Sequence, residues 1–142
     1  MMERILLVDD EKEFIEPLAE RMRNRGMNVS TSTCAKEAIK KVQQETYDAI
    51  ILDLRMPEMD GIEALSVLKE KNPDLQVILL TGHATVEQGV QAMKLGAMDF
   101  LEKPIDIKVL SEKIKKAKAE KMILVEKRSE EKIKKIMIEK GW

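Results

Sequence analysis

The chain has 142 residues, a formal net charge of −1, and a composition that is 44% hydrophobic and 36% charged. This length suits one domain with a full core plus an appendage, and the composition is that of a soluble globular protein. An aromatic content of 3% argues against a nucleic-acid binder that stacks on bases. The single cysteine, Cys34, excludes an internal disulfide and any multi-cysteine metal site.

The N-terminal segment MMERILLVDD contains neither a signal-peptide core nor a membrane span, which predicts a cytoplasmic protein. Charge is unevenly distributed along the chain. Acidic side chains outnumber basic ones over residues 1–105, and the balance reverses over residues 106–142. An acidic body suits a site for a metal cation, whereas the basic tail is typical of a solvated helix or a surface for an acidic partner.

Five short apolar segments predict β-strands, and segments with helical spacing separate them. The second predicted strand alternates in polarity and is expected at a sheet edge. Alternating strands and helices indicate a parallel sheet with helical crossovers covering both faces, an α/β fold in three layers. The predicted strands are residues 4–10, 27–32, 49–54, 76–80 and 99–103.

The first and last helices each carry a distinctive feature. The first, over about residues 12–25, contains Pro17, which requires that the helix start nearby or bend there, and Gly26 is predicted to end it. The last begins near Asp106 and stays charged to the C-terminus. We therefore expect a domain over residues 1–120 and a charged helical extension over residues 121–142, whose partner the sequence leaves open.

Three aspartates follow predicted strands. Asp9 and Asp10 end the first strand and Asp53 ends the third. Ligands bind outside the carboxyl ends of strands in open parallel sheets, so these side chains are expected to converge. Like charges this close raise a pKa or require a cation, and Mg²⁺ prefers such oxygen ligands. The alternative for Asp9 or Asp10 is an N-cap of the first helix.

Two further side chains are expected at the same edge. Thr81 follows QVILL, and Lys103 follows DFLE. A hydroxyl, an ammonium and a cation around one carboxylate could hold three phosphoryl oxygens. Asp53 is then predicted to be a nucleophile that forms an acyl phosphate. Because the sequence supplies no strong general base near it, the donor must already be reactive, such as a phosphohistidine or a small acyl phosphate.

The sequence resembles a response-regulator receiver domain, the phosphoacceptor module of two-component signalling, over residues 3–120. The resemblance rests on the acidic pair in ILLVDDE, the acceptor in DLRMPEMDG, the switch hydroxyl in LLTGHA and the lysine and proline in FLEKP. Their order at successive strand ends makes the set specific. The stretch from Thr81 to Pro104 is similar to receivers that precede σ54-type activators.

The resemblance implies a flavodoxin-like fold with strand order 2-1-3-4-5, five helices and an extended last helix. It implies that Asp53 is the phosphoacceptor and that Asp10, assisted by Asp9, is the main Mg²⁺ carboxylate. The other implied roles are a backbone-carbonyl metal ligand at Arg55, a phosphoryl contact and switch at Thr81, an ammonium at Lys103 paired with Asp53, and an aromatic switch at Phe100, where the family often has tyrosine.

Some loop features are also expected. The Lys103–Pro104 bond resembles the family's cis peptide. Pro57 and Gly61 fit the tight loop after the acceptor, with Gly supplying unusual backbone angles. Met56 and Met59 are predicted to pack rather than to take part in chemistry.

The implied function is a signalling switch rather than an enzyme with its own substrate. A sensor histidine kinase or a phosphotransfer protein would phosphorylate Asp53, and the face of the fourth helix, fifth strand and fifth helix would change its contacts. That face or the C-terminal helix is a candidate for homodimer formation. Neither direct nucleic-acid binding nor membrane association is expected.

Two other classes share parts of this pattern. An aspartate-nucleophile phosphohydrolase has a second aspartate two positions after the nucleophile, where this chain has Arg55. A flavin-binding module needs a loop of Ser, Thr and Gly after the first strand, where the acidic segment DDEKE would repel a phosphate. The only histidine, His83, is predicted to lie in a solvated loop rather than to act as phosphodonor or ligand.

Overall fold

The computed structural model describes residues 2–82 and 85–141, and over these ranges strands and helices alternate as predicted. The strands are β1 (Arg4–Val8), β2 (Asn28–Ser32), β3 (Ala49–Asp53), β4 (Val77–Thr81) and β5 (Asp99–Glu102). The helices are α1 (Lys12–Asn24), α2 (Ala35–Gln44), α3 (Gly61–Lys71), α4 (Val86–Lys94) and α5 (Ile107–Glu139).

The five strands form one parallel sheet in the order β2-β1-β3-β4-β5. The predicted fold class and strand order are confirmed, and β2 lies at an edge as its alternating pattern indicated. The register pairs Asp53 with Leu80, and Thr81 with Glu102. The carboxyl ends of β1, β3, β4 and β5 therefore meet at one edge of the sheet.

Apolar side chains cover both faces of the sheet because successive strand residues point to opposite sides. Every residue of β3 and β4 is buried, as expected for central strands with helices on both faces. One core cluster includes Leu6, Leu52 and Leu65, and the other joins Ile5 and Ile51 to the α1 and α5 side chains. This packing fixes the strand ends that carry the aspartates.

Helix α1 shows how its two predicted signals act. It begins at Lys12, so Pro17 lies inside it and does not mark its start. Gly26 follows the helix with a φ of 92°, and its N–H donates to the carbonyl of Arg23. The prediction that Gly26 ends the helix is confirmed, because a left-handed residue there favours glycine.

The role expected for Gly61 has to be corrected. Among the described residues, the glycines with positive φ are Gly26, Gly96 and Gly141, so Gly61 does not supply an unusual backbone angle. A Cβ at position 61 would instead lie 2.6 Å from Cα of Leu54 and 2.8 Å from the carbonyl oxygen of Asp53. Glycine is needed because the start of α3 touches the backbone at the end of β3. Met56 and Met59 pack against the core as expected.

The last helix runs without interruption through the predicted extension. Leu110, Ile114 and Ala117 are fully buried in its first half. Further on, Nζ of Lys121 donates to the carbonyl of Tyr47 at 2.9 Å, and Nε of Arg128 donates to Oδ1 of Asp74 at 2.8 Å. Both partners precede strands, so the extension passes the amino-terminal edge of the sheet. Among the described helices, none combines the length and apolar character needed to cross a bilayer.

Candidate functional site

Three carboxylates meet at the carboxyl edge of the sheet. Oxygen atoms of Asp9, Asp10 and Asp53 all lie within 4.8 Å of one another. Asp9 follows β1 and Asp53 ends β3, and these strands are neighbours in the sheet. The relative exposure of Asp9 is 3% and that of Asp53 is 5%, whereas Asp10 is exposed. The convergence that was predicted from strand order is present.

The alternative that an aspartate caps α1 is not supported. Glu11 occupies the N-cap position, and its side chain accepts no capping hydrogen bond. Oδ1 of Asp9 accepts a hydrogen bond from the Glu11 N–H at 2.9 Å. This bond orients the Asp9 carboxylate and leaves its second oxygen for another partner.

Lys103 is that partner. Its Nζ lies 2.9 Å from Oδ2 of Asp9 and 3.8 Å from Oδ1 of Asp53. The pairing expected with Asp53 is thus the longer of two contacts, and the hydrogen bond goes to Asp9. The Lys103 N–H donates to the carbonyl of Thr81 at 2.8 Å, which holds the residue at the end of β5. The Lys103–Pro104 peptide bond is cis, as the resemblance implied.

The electrostatics of the site are dominated by negative charge. Burial and then the neighbouring charge of Asp9 raise the pKa of Asp53 to about 6, although Lys103 and a hydrogen bond from the Arg55 backbone oppose the shift. Burial alone would lower the pKa of Lys103, but its hydrogen bond to Asp9 and the charges of Asp53 and Asp9 outweigh burial and raise it. The two buried carboxylates of Asp9 and Asp53 therefore share the ammonium of Lys103.

A cleft of about 290 Å³ opens beside Asp53. Thr81, the last residue of β4, is fully buried and lines this cleft. The predicted site residues therefore come together around a space large enough for a small anionic group. The side chains and backbone that line it are Glu11, Phe14, Asp53, Arg55, Thr81, Gly82 and Lys103.

Phe100 lies apart from the cleft. It is half-buried on β5, packs against the core cluster that contains Leu52, and faces α4, where a Cβ at Gly89 would lie 3.9 Å from its ring. Its predicted part in switching therefore concerns the α4 side of the sheet. His83, for which a solvated loop was predicted, lies outside the described residues.

Phe14 belongs to the site and was missed by the sequence reasoning. Its ring centroid lies 4.0 Å from Nζ of Lys103, within range of a cation–π contact. The available signal was an aromatic residue in the first turn of the helix that follows the acidic pair. The sequence analysis assigned no role to that residue.

The fold and the site define a class: a doubly wound parallel α/β domain with an acidic cluster, a threonine and a lysine at its carboxyl edge. The model of the response regulator receiver domain matches residues 5–115. The chain belongs to this family, whose members are the receiver domains of two-component systems.

Comparisons with individual proteins support the same family. The chain is 37% identical over 115 residues to the transcriptional regulatory protein ZraR of Escherichia coli strain K12, an alignment that covers 81% of this chain and 26% of that protein. The solution structure of the beryllofluoride-activated NtrC4 receiver domain dimer matches with a TM-score of 0.80 and 38% identity, covering 84% of this chain and 99% of that one.

A crystal structure of a CheY-like receiver domain protein from Methanospirillum hungatei JF-1 matches with a TM-score of 0.81 and 29% identity. It covers 86% of this chain and 98% of that one. The chain thus spans whole receiver domains but about a quarter of ZraR. None of these three matches favours the phosphohydrolase or flavin-binding alternatives.

Proposed function

We propose that this receiver is a phosphorylation-dependent switch in which Asp53 accepts a phosphoryl group. The observation that carries the proposal is the placement of Asp53: a buried carboxylate at a strand end, beside a cleft, 3.8 Å from the ammonium of Lys103. A pKa of about 6 leaves this carboxylate mainly ionised at neutral pH, so it can act as a nucleophile without a general base.

The donor is the phosphohistidine of a sensor histidine kinase or a phosphotransfer protein. A carboxylate oxygen of Asp53 attacks phosphorus, the new P–O bond forms as the P–N bond breaks, and the electron pair of that bond stays on the imidazole nitrogen. The product is an acyl phosphate. A small acyl phosphate donates in the same way, with its carboxylate as leaving group.

The surrounding residues stabilise the transferred group. The Lys103 ammonium offsets charge on the phosphoryl oxygens. The Thr81 hydroxyl donates to one of those oxygens and moves with it, and Phe100 follows on the α4 side. This motion changes the surface formed by α4, β5 and the start of α5.

The carboxylates of Asp9, Asp10 and Asp53 with the carbonyl of Arg55 would hold Mg²⁺. The donor set fits, because Mg²⁺ takes hard oxygen ligands and three carboxylates lie within 4.8 Å of one another. Burial and then the charge of Asp9 raise the pKa of Asp53, and a bound cation would oppose both effects. When bound, the ion neutralises charge on the phosphoryl oxygens.

The switch is read by a protein partner or by a second copy of the chain. Three apolar side chains on α4, Val86, Val90 and Met93, are exposed and suit such a contact. The related NtrC4 receiver is described as a dimer when activated by beryllofluoride. We assign residues 1–120 to the receiver and residues 121–142 to an extension that offers a second dimer surface, without direct binding to nucleic acid.

The test is incubation of the full chain with acetyl phosphate and Mg²⁺, followed by intact-mass analysis. The native chain should gain one phosphoryl group, and Asp53→Asn should gain none. Asp74→Asn removes a carboxylate at the opposite edge of the sheet and should be phosphorylated like the native chain. Equal phosphorylation of Asp53→Asn would refute the assignment.

A further inference from the structure

The contact between Phe14 and Lys103 joins two elements that the sequence places far apart. Phe14 lies in the first turn of α1, and Lys103 follows β5. The ring centroid is 4.0 Å from Nζ, and the lysine side chain is 16% exposed. An ammonium this well shielded from water gains more from a ring face than an exposed one does.

Phe14 also lines two cavities. One is the cleft with Asp53 and Thr81. The other is a groove of about 240 Å³ whose walls include Glu13 and Pro104. Of the described residues that line these two cavities, Phe14 alone lines both.

We propose that Phe14 is a positioning residue for phosphoryl transfer. Its ring face holds the Lys103 ammonium beside Asp9 and Asp53. The inference rests on the proposed function of Asp53. Phe14 would then contribute to the reaction as well as to the packing of α1.

The rate of phosphorylation by acetyl phosphate tests the proposal in the full chain. Phe14→Leu keeps an apolar side chain with good helix propensity but removes the ring, and should slow phosphorylation roughly fivefold, or about 1 kcal/mol. Phe14→Tyr restores a ring face and should return the rate to within about twofold of native.

Leu18→Ala is the control for a purely structural effect. Leu18 lies on the same helix and in the same core cluster as Phe14, but it lines the groove and not the cleft. The variant should lose thermal stability and keep the native phosphorylation rate. A rate for Phe14→Leu equal to native, a Phe14→Tyr variant as slow as Phe14→Leu, or an equal slowing by Leu18→Ala would overturn the proposal.

A measurement without phosphorylation separates this inference from the proposed function. In protein labelled with ¹³C-lysine, ring current should move the Lys103 ε-methylene protons upfield of the other lysines, and Phe14→Leu should abolish that shift. An unshifted native resonance would overturn the positioning role. A native chain that takes up no phosphoryl group would instead refute the proposed function, whatever the resonance shows.

Discussion

The two ends of the sheet use charge in opposite ways. At the carboxyl edge, Asp9 and Asp53 are buried together and share the single ammonium of Lys103. At the amino edge, Arg128 meets Asp74 in a pair whose side chains are 58% and 15% exposed, one carboxylate to one guanidinium. The first arrangement is destabilising unless a cation or phosphoryl chemistry uses it, whereas the second is an ordinary surface pair. Both edges contain ion pairs. The functional edge differs because its buried negative charge exceeds the positive charge beside it.

The largest expected effect follows from removing charge at the carboxyl edge. Burial and Asp9 raise the pKa of Asp53 from 3.8 to about 6, so its ionisation opposes folding. The folded state therefore has its full stability below pH 4, where Asp53 is protonated in both the folded and the unfolded chain. Part of this stability is lost as pH rises from about 4 to about 6, because the unfolded chain ionises first. In metal-free buffer above pH 6.5, Asp53→Asn should stabilise the fold by about 2–3 kcal/mol.

Urea unfolding at a series of pH values measures this effect. The gain in unfolding free energy should be near zero below pH 4, grow between pH 4 and pH 6, and shrink when Mg²⁺ is added. Asp74→Asn at the amino edge is the matched carboxylate and should give no gain at any pH. A gain for Asp53→Asn that is independent of pH would contradict the electrostatic explanation.

The next largest effect on stability is expected at Gly61, where the start of α3 touches the backbone at the end of β3. Gly61→Ala would place a Cβ 2.6 Å from Cα of Leu54 and 2.8 Å from the Asp53 carbonyl oxygen, so the backbone must shift. We expect a loss of about 1–3 kcal/mol in unfolding free energy and slower phosphorylation. Gly82→Ala is the control for stability alone, because its Cβ would meet nothing within 4 Å although the residue lines the cleft. Equal stability of the two variants would count against the close approach.

The smallest effect is expected at the amino edge. Arg128→Ala removes a pair with Asp74 in which the arginine is exposed, and should cost less than about 1 kcal/mol, with the loss reduced in high salt. It should leave the phosphorylation rate of the full chain unchanged. Urea unfolding at low and high ionic strength measures the stability change. A cost above that of Gly61→Ala would mean that the extension contributes to the domain's stability.

The site residues that could be predicted from the sequence are those that the parallel strands position. Asp53, Thr81 and Lys103 each end or follow an apolar strand, and the strand order brings them to one edge. The sequence therefore predicts both the sheet and the convergence of these side chains. The end of α1 at Gly26 and the start of α5 at its N-cap Asp106 follow local signals in the sequence.

The unpredicted part depends on how elements cross in space. Phe14 meets Lys103 only because α1 packs beside the segment that follows β5. The preference of Lys103 for Asp9 depends on differences of about an ångström. Lys121 and Arg128 find partners 74 and 54 residues earlier in the chain, which no periodicity indicates.

The buried carboxylate of Asp53, at the end of β3, is the proposed site of phosphorylation. Borohydride reduces an acyl phosphate of aspartate to homoserine, so treatment after phosphorylation marks the acceptor permanently. Peptide mass spectrometry of the treated protein should find homoserine at position 53 alone, and only when Mg²⁺ and acetyl phosphate were both present. Homoserine at position 9 or 10, or none anywhere in a phosphorylated chain, would contradict the account.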